Sequence, residues 1–278
     1  MKTILVNSIE SMLEIRQQLN GKIGFVPTMG FLHEGHLSLI SEANKVSDIT
    51  IVSIYVNPTQ FGINEDLSEY PRDIKHDIEL LSKLKVDYVF FPNDKQMYPA
   101  DYKTWVNVEK ITQILCGKSR PTHFRGVTTI VTKLINILDP EFMFMGEKDF
   151  QQLTILKQML QDLNFHTKIV GCPIIRENDG LALSSRNKYI SSVGRGKALC
   201  LHNSLLLAQK LFDDGIYSTN KIIAQMTDLI DSNGGIIDYI EVFDPDTLEH
   251  IPKVASGCRI AIAVVIENTR LIDNIQIK

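Results

Sequence analysis

Through the first 170 positions, short dense apolar runs alternate with longer stretches that carry an apolar residue every three or four places. That change of period predicts strands alternating with helices. Thr3 to Val6 reads as a first strand, followed by a helix capped by Asn7 or Ser8 and running to about Leu19, with Asn20-Gly21 as its stop. Ile23 to Val26 is a second strand, and a helix follows from about Gly35 to Lys45. Ile49 to Val56 is β-branched and almost wholly apolar, the composition of a strand buried on both faces of a parallel sheet. Tyr70-Pro71-Arg72-Asp73 opens a helix to about Leu84, and Tyr88 to Phe91 is a fourth strand.

Between Asn93 and Arg125 the pattern weakens. Trp105 to Val108 reads as a short strand, Ile111 to Leu115 as a helical turn, and a helix is expected from near Gly126. Phe142 to Met145 is a fifth strand, Phe150 to Leu163 a helix, and His166 to Val170 a sixth strand. The polar stretch Ile175 to Gly180 reads as a boundary. Beyond it the grammar changes to two helices, about Arg195 to Phe212 and Thr219 to Ser232, and then strand-like runs. Those runs are Ile236 to Phe243, Glu249 to Ile251, Arg259 to Ile266 and a short end near Ile275, with turn signals at Asp244-Pro245 and Asn268-Thr269. Helices followed by consecutive strands suggest a small α+β unit. The expected fold is therefore α/β: a Rossmann-like parallel sheet over residues 1–175, with a smaller C-terminal α+β domain, residues 176–278, closing over it.

Composition narrows the function classes. With 278 residues, 44% hydrophobic and 22% charged, the chain has the make-up of an ordinary globular protein. A net charge of −4 supplies no global basic field for nucleic acid. The widely spread Cys116, Cys172, Cys200 and Cys258 form neither a disulfide framework nor a metal cluster, so a reducing, cytoplasmic setting is expected. No run of about 18 apolar residues predicts a membrane span, and the N-terminal apolar run is too short for a signal peptide.

The candidate chemistry lies where strands end. Gly24 to Val26 feeds Pro27-Thr28-Met29-Gly30-Phe31-Leu32, then His33-Glu34-Gly35-His36 at a helix start. A helix start presents unpaired N–H groups and partial positive charge, which suits phosphate. Histidines three apart can face one ligand there and donate hydrogen bonds to charge developing on a phosphoanhydride. The same spacing also serves zinc, although no HExxH or CxxC supplies further ligands. Gln60 sits in a loop after the Ile49 to Val56 run, the zone where open α/β sheets bind ligands. In Gly146-Glu147-Lys148-Asp149, Lys148 can be a point charge for phosphate and Asp149 a helix cap. Arg120 to Gly126 holds two arginines and a histidine, either an anion-binding loop or a solvated basic one. Leu183-Ser184-Ser185-Arg186-Asn187-Lys188 can grip a triphosphate or serve as a linker. No GxGxxG follows the first strand, which argues against a dinucleotide oxidoreductase.

Taken in order, these pieces resemble the pantothenate synthetase (pantoate–β-alanine ligase) family. The matching stretches are Pro27 to Gly30 with His33 to His36, Val56-Asn57-Pro58-Thr59-Gln60-Phe61, Tyr70 to Asp73, Arg120 to Val127, Gly146 to Leu153 and Leu183 to Asn187. A lone HxGH is shared with many nucleotidyltransferases and class I aminoacyl-tRNA synthetases; the ordered set is far more specific. The resemblance implies adenylation of pantoate by ATP with Mg2+, then attack by β-alanine to give pantothenate and AMP. It implies His33, His36, Lys148 and Arg186 as catalytic groups. ATP contacts would come from Met29, Gly30, His33, His36, Gly146, Lys148, Asp149, Ser184, Ser185 and Arg186. Pantoate would meet Pro27, Thr28, Met29, Gln60 and Gln152, and Asp77 is the candidate magnesium ligand. It also implies a homodimer, with no nucleic-acid or membrane partner.

This chain departs from the family at Cys116-Gly117, where Glu-Gly is usual, and at Thr122, where glycine is usual. A thiol cannot hold an arginine as a carboxylate would, which leaves the orientation of Arg120 open. Rival readings are another HxGH adenylyltransferase, which would transfer the nucleotide to a phosphate acceptor, and a non-enzymatic nucleic-acid or regulatory binding module.

Overall fold

The apolar runs pair side by side. The computed structural model describes residues 3–63 and 65–278. Strands β1 (Ile4–Val6), β2 (Ile23–Thr28), β3 (Ile49–Ile54), β4 (Tyr88–Phe90), β5 (Phe142–Gly146) and β6 (Lys168–Cys172) form one sheet in the order β1-β4-β3-β2-β5-β6. All its pairings are parallel. Consecutive residues face opposite sides: Phe25, Ile51, Phe90 and Met143 enter one core, while Val26, Val52, Val89 and Phe144 enter another. The four inner strands, β2 to β5, are thus apolar on both faces, which is why their runs show no polar alternation.

Helices cover both faces. The first core also takes residues from α1 (Ile9–Gln18), α6 (His123–Leu138) and α7 (Phe150–Asp162), such as Met12, Leu134 and Leu156. The second is closed by α2 (Glu34–Val46) and α3 (Ile74–Ser82) through Leu39, Ile40 and Leu81. Two one-turn helices, α4 (Asp94–Met97) and α5 (Cys116–Ser119), lie in the weakly patterned stretch. Beyond β6, α8 (Ser192–Asp213) and α9 (Thr219–Ser232) pack on an antiparallel sheet of β7 (Ile236–Phe243), β8 (Arg259–Ile266) and β9 (Thr269–Gln276). A third core, with Leu201, Met226, Ile260 and Ile262, lies between them.

The strand order reverses at β2. The chain moves from β2 through β3 to β4 on one side, then returns to place β5 on the other. A crevice opens at such a reversal, beyond the carboxyl ends of the strands. Here those ends lead into the His33–His36 turn and the Gly146–Asp149 turn.

Several expected elements differ. Trp105 to Val108 is not a strand, because the Val106 N–H donates to Thr129 Oγ1 and its carbonyl accepts from Thr128 Oγ1, so α6 side chains satisfy that backbone. The helical turn expected at Ile111 to Leu115 lies one step on, at α5. Helix α6 starts at His123 rather than near Gly126, and α8 starts at Ser192 under a Ser191 cap. Glu249 to Ile251 contributes one isolated bridge, between His250 and Phe243. The short end near Ile275 is instead the whole of β9. Its Asp273 and Asn274 broke the apolar pattern, yet both are buried with specific partners.

Candidate active site

At the end of β2 the chain makes a turn that glycine and a buried carboxylate hold. Thr28 Oγ1 donates to the Ser53 carbonyl at 2.7 Å and accepts from the Gly30 N–H at 3.2 Å. Gly30 has φ +81°, and a Cβ there would come within 3.0 Å of Asp77 Oδ2 and the Ile54 side chain. Asp77, 1% exposed, accepts from the Phe31 and Leu32 N–H groups at 2.8 and 2.7 Å. Each of its oxygens thus takes one backbone N–H, it is not among the residues lining the cleft, and it buttresses the histidine turn from behind, away from the lining where a magnesium ligand was expected. Gly30 likewise lies behind the cavity wall rather than on it.

The turn delivers His33 as the N-cap of α2. His33 Nδ1 accepts from the Gly35 N–H at 3.2 Å, and His36 Nδ1 accepts from the His33 N–H at 3.3 Å. The rings lie 4.1 Å apart. A Cβ on Gly35 would come within 2.9 Å of the His33 ring, so the packing requires glycine. Because both Nδ1 atoms accept, the hydrogen-bond network assigns the proton of each neutral ring to Nε2. Burial lowers the pKa of His33 to about 4, helped by Lys148, and that of His36 to about 3, helped by His33 and Lys148. At neutral pH the pair is two uncharged donors.

These rings line a cavity of about 260 Å³ that adjoins a larger one of about 960 Å³ reaching to β7 and β9. The smaller cavity brings together Pro27, Thr28, Met29, Gln60, Gly146, Lys148, Asp149, Gln152, Ser184, Ser185 and Arg186 with both histidines. Only Gly30 and Asp77, of the residues expected at the site, stand outside its lining.

Gln60 is placed by a dense local network. Asn57, 1% exposed, donates through Nδ2 to Gln60 Oε1 and to the Gly126 carbonyl, at 3.2 and 3.1 Å. Gly126 lets α6 approach, since a Cβ there would lie 2.5 Å from the Thr59 carbonyl oxygen. The Gln60 carbonyl accepts from Arg120 Nη2 at 3.2 Å and from His123 Nδ1 at 2.8 Å. Burial, then the neighbouring Arg120 charge, lowers the His123 pKa to about 4. Arg120 is itself clasped by Glu65, through Nε at 2.7 Å and a shorter Nη2 contact. Cys116 Sγ sits 4.0 Å from Arg120 Nη1. The carboxylate missing at Cys116 is thus supplied by Glu65. Arg125 is turned away, over the Trp105 ring at 4.9 Å, so the two arginines do not form one anion-binding loop.

Lys148 lies in a 3-10 turn, Glu147–Asp149, between β5 and α7. A Cβ on Gly146 would meet nothing within 4 Å, so the turn borders open space. Asp149 makes no side-chain cap bond, because the 3-10 turn already extends the helix backward; its carboxylate lies 3.7 Å from Lys148 Nζ. Gln151 is buried and anchors the loop before α5, donating to the Ile111 and Ile114 carbonyls and accepting from the Cys116 N–H. Its neighbour Gln152 is the one that lines the cavity.

Across the cleft, Ser184 caps a 3-10 turn, Ser185–Tyr189, by accepting from the Arg186 N–H at 3.3 Å. Ser185 Oγ donates to the Phe31 carbonyl at 3.4 Å. Arg186 makes a two-pronged ion pair with Asp66, at 3.0 and 2.8 Å. Tyr189 Oη donates to the Glu69 carbonyl. The sequence reading missed Asn57, Glu65, Asp66 and His123 as working parts. Of these, Asn57 and His123 lay inside stretches already singled out; Glu65 and Asp66 show no pattern without the fold. Among the described residues, no three His, Cys, Asp or Glu side chains converge as a metal site, and no helix is long and apolar enough to cross a membrane.

Comparison with known proteins bears on this arrangement. The family model described as Pantoate-beta-alanine ligase matches residues 4–276. The pantothenate synthetase of Caldicellulosiruptor saccharolyticus is 52% identical over 279 residues, covering 99% of each chain. The crystal structure of pantothenate synthetase from Thermus thermophilus superposes with a TM-score of 0.94 at 38% identity, covering 98% of this chain and 99% of that one. Pantoate-beta-alanine ligase from Francisella tularensis, complexed with beta-gamma ATP and beta-alanine, gives 0.84 at 38% identity, with 99% and 97% coverage. The six-stranded parallel sheet, the histidine turn and these full-length matches agree: the chain belongs to the pantoate-beta-alanine ligase family.

Proposed function

We propose that the protein condenses pantoate with β-alanine at the expense of ATP. A pantoate carboxylate oxygen attacks the α-phosphorus of ATP, the α–β phosphoanhydride breaks, and pyrophosphate leaves. The β-alanine amine then attacks the acyl carbon of pantoyl adenylate. The amide bond forms, the acyl–phosphate bond breaks, AMP leaves, and the amine proton goes to solvent. The observation that carries this reading is the pair of neutral Nε2 donors at the start of α2, sharing one cavity with Lys148, Ser184, Arg186, Gln60 and Gln152.

Each group has a task suited to its chemistry. His33 and His36 donate to the phosphates without adding charge that would trap the ground state, and Lys148 and Arg186 offset the charge gathering on the leaving pyrophosphate. Met29, Gly146, Asp149, Ser184 and Ser185 complete the nucleotide contacts. Gln60 and Gln152 read pantoate hydroxyls, because a neutral amide both donates and accepts; Pro27, Thr28 and Met29 border the same end. Magnesium fits as part of MgATP, with phosphate oxygens and water as ligands, since it keeps much of its hydration. Residues 1–175 act as the nucleotide- and pantoate-binding part, and 176–278 as the lid that keeps water from the adenylate. Four unpaired thiols suit a reducing compartment, so we place the enzyme in the cytoplasm and, with the family resemblance, assign a homodimer in the coenzyme A pathway.

The test is a product assay with ATP, pantoate and β-alanine, each omitted in turn. Pyrophosphate should appear with ATP and pantoate alone, and AMP and pantothenate should appear together only on adding β-alanine. Formation of ADP and phosphate instead would replace the adenylate with an acyl phosphate and sink the reading.

A further inference from the structure

The last strand reaches into the Lys148 turn. Asn274 on β9 is 2% exposed. Its Nδ2 donates to the Glu147 carbonyl at 2.9 Å and to the Lys148 carbonyl at 3.0 Å. Its Oδ1 accepts from Arg259 Nη1 at 2.5 Å. Arg259, on the neighbouring strand β8, is 5% exposed; its Nη2 donates to Glu147 Oε2 at 3.1 Å, and its guanidinium stacks 3.7 Å above the Phe150 ring centre. A carboxamide can be placed either way round, but a guanidinium only donates. Arg259 therefore fixes Oδ1 toward itself and aims both amide hydrogens at consecutive carbonyls of the Glu147–Asp149 turn.

We propose that Asn274, oriented by Arg259, is a positioning residue for Lys148. A lysine is a point charge on a flexible stem, so its use at the phosphates depends on where its backbone is held. A misplacement of about 1 Å at a reacting centre can cost about 10²-fold in rate. Nothing in the C-terminal sequence marks this role, because a strand asparagine among isoleucines looks like an edge or bulge residue. The grip also means that seating of the small antiparallel sheet sets the position of a phosphate-facing cation on the large one.

The inference rests on the reading of Lys148 as an ATP-phosphate contact, and the test separates the two. MgATP affinity and single-turnover pantoyl-adenylate formation are measured for wild type, Asn274→Ala, Lys148→Ala and the double variant. Lys148→Ala should weaken both. Asn274→Ala should slow adenylation about tenfold or more in the wild-type background, and by less than about twofold when Lys148 is already gone, because residues acting as a unit are not additive. A merely structural amide would cost the same in both backgrounds, and that result overturns the proposal. So does an Asn274→Ala enzyme within twofold of wild type. If Asn274→Ala does not fold, the same cycle is run with Arg259→Lys, which keeps the charge but not the fork; equal losses with and without Lys148 again overturn it. Wild-type protein that binds no MgATP refutes the functional reading itself and the inference with it; normal binding with Lys148→Ala unaffected refutes only the role of Lys148 and this inference.

Discussion

At the start of α2, two imidazoles lie over backbone N–H groups and carry no charge. Across the same cavity, Arg186 carries a full charge that Asp66 already clasps. The first wall is prepared by the chain's own local geometry: a glycine turn, a buried Asp77 behind it and a helix start. Its donors are fixed before any ligand arrives, so no reorganisation opposes their use. The second wall is prepared by long-range ion pairs from the 65–69 stretch, Glu65 to Arg120 and Asp66 to Arg186. Its cations are held in place, but a phosphate must compete with or join their carboxylates. One wall offers geometry without charge; the other offers charge that is already neutralised.

The largest expected effect comes from the rigid wall. His36→Ala or His33→Ala should lower single-turnover adenylation by about 10²–10³-fold, the cost of losing one preorganised donor. Folding and the magnesium dependence should persist, since neither ring is placed on a metal. Stoichiometric zinc in the wild-type protein, lost along with activity in His33→Ala, would remove the distinction between the two walls.

A smaller effect is expected from the paired wall. Asp66→Asn should leave Arg186 in place but free its charge. MgATP affinity should then rise by about two- to fivefold, in keeping with the modest worth of a partly exposed ion pair, and the gain should shrink at high salt. Weaker MgATP binding in Asp66→Asn would mean that the carboxylate orients the guanidinium for the nucleotide and does not compete with it.

The two walls also differ in how far the sequence revealed them. The rigid wall was legible because its parts are neighbours: Gly30, His33, Gly35 and His36 fall within seven positions and mark a strand, a turn and a helix start. The inner parallel strands, β2 to β5, were legible for the same reason, since each buries both faces and so announces itself as an apolar run. The paired wall was only half legible. Ser184 to Arg186 stood out as a polar run, but Asp66 lies 120 positions away from Arg186 and Glu65 lies 55 from Arg120. Nothing local ties them. The burial of Asp77 was illegible for a related reason: an exposed carboxylate and one buried under two N–H groups read alike in a sequence. Asn274 and Arg259 are the extreme case, with their partners on the far side of the chain and no period to betray them.

The smallest effect is the most direct reading of the uncharged wall, and it lies in pH. An unperturbed histidine with pKa 6.5 would be mostly protonated at pH 5.5, and an imidazolium can no longer accept through Nδ1. Burial and Lys148 instead hold His33 near 4, against the opposing pull of Asp149 and Glu177, and His36 near 3. The adenylation rate at saturating MgATP should therefore change by less than about twofold on going from pH 7.5 to 5.5 through these groups. Stability should behave differently, and the sign follows from proton binding. In the unfolded chain His33, His36 and His123 titrate near 6.5, while the folded protein keeps them neutral down to about 4 or below. Between those values the unfolded state binds more protons, so stability is fully present above pH 6.5 and falls as pH drops toward 4. The Tm should decline over that window while the adenylation rate of the still-folded enzyme holds level. An inflection in the rate near pH 6.5, removed by His36→Gln, would show that one ring is charged in the working enzyme and that the two walls are prepared alike.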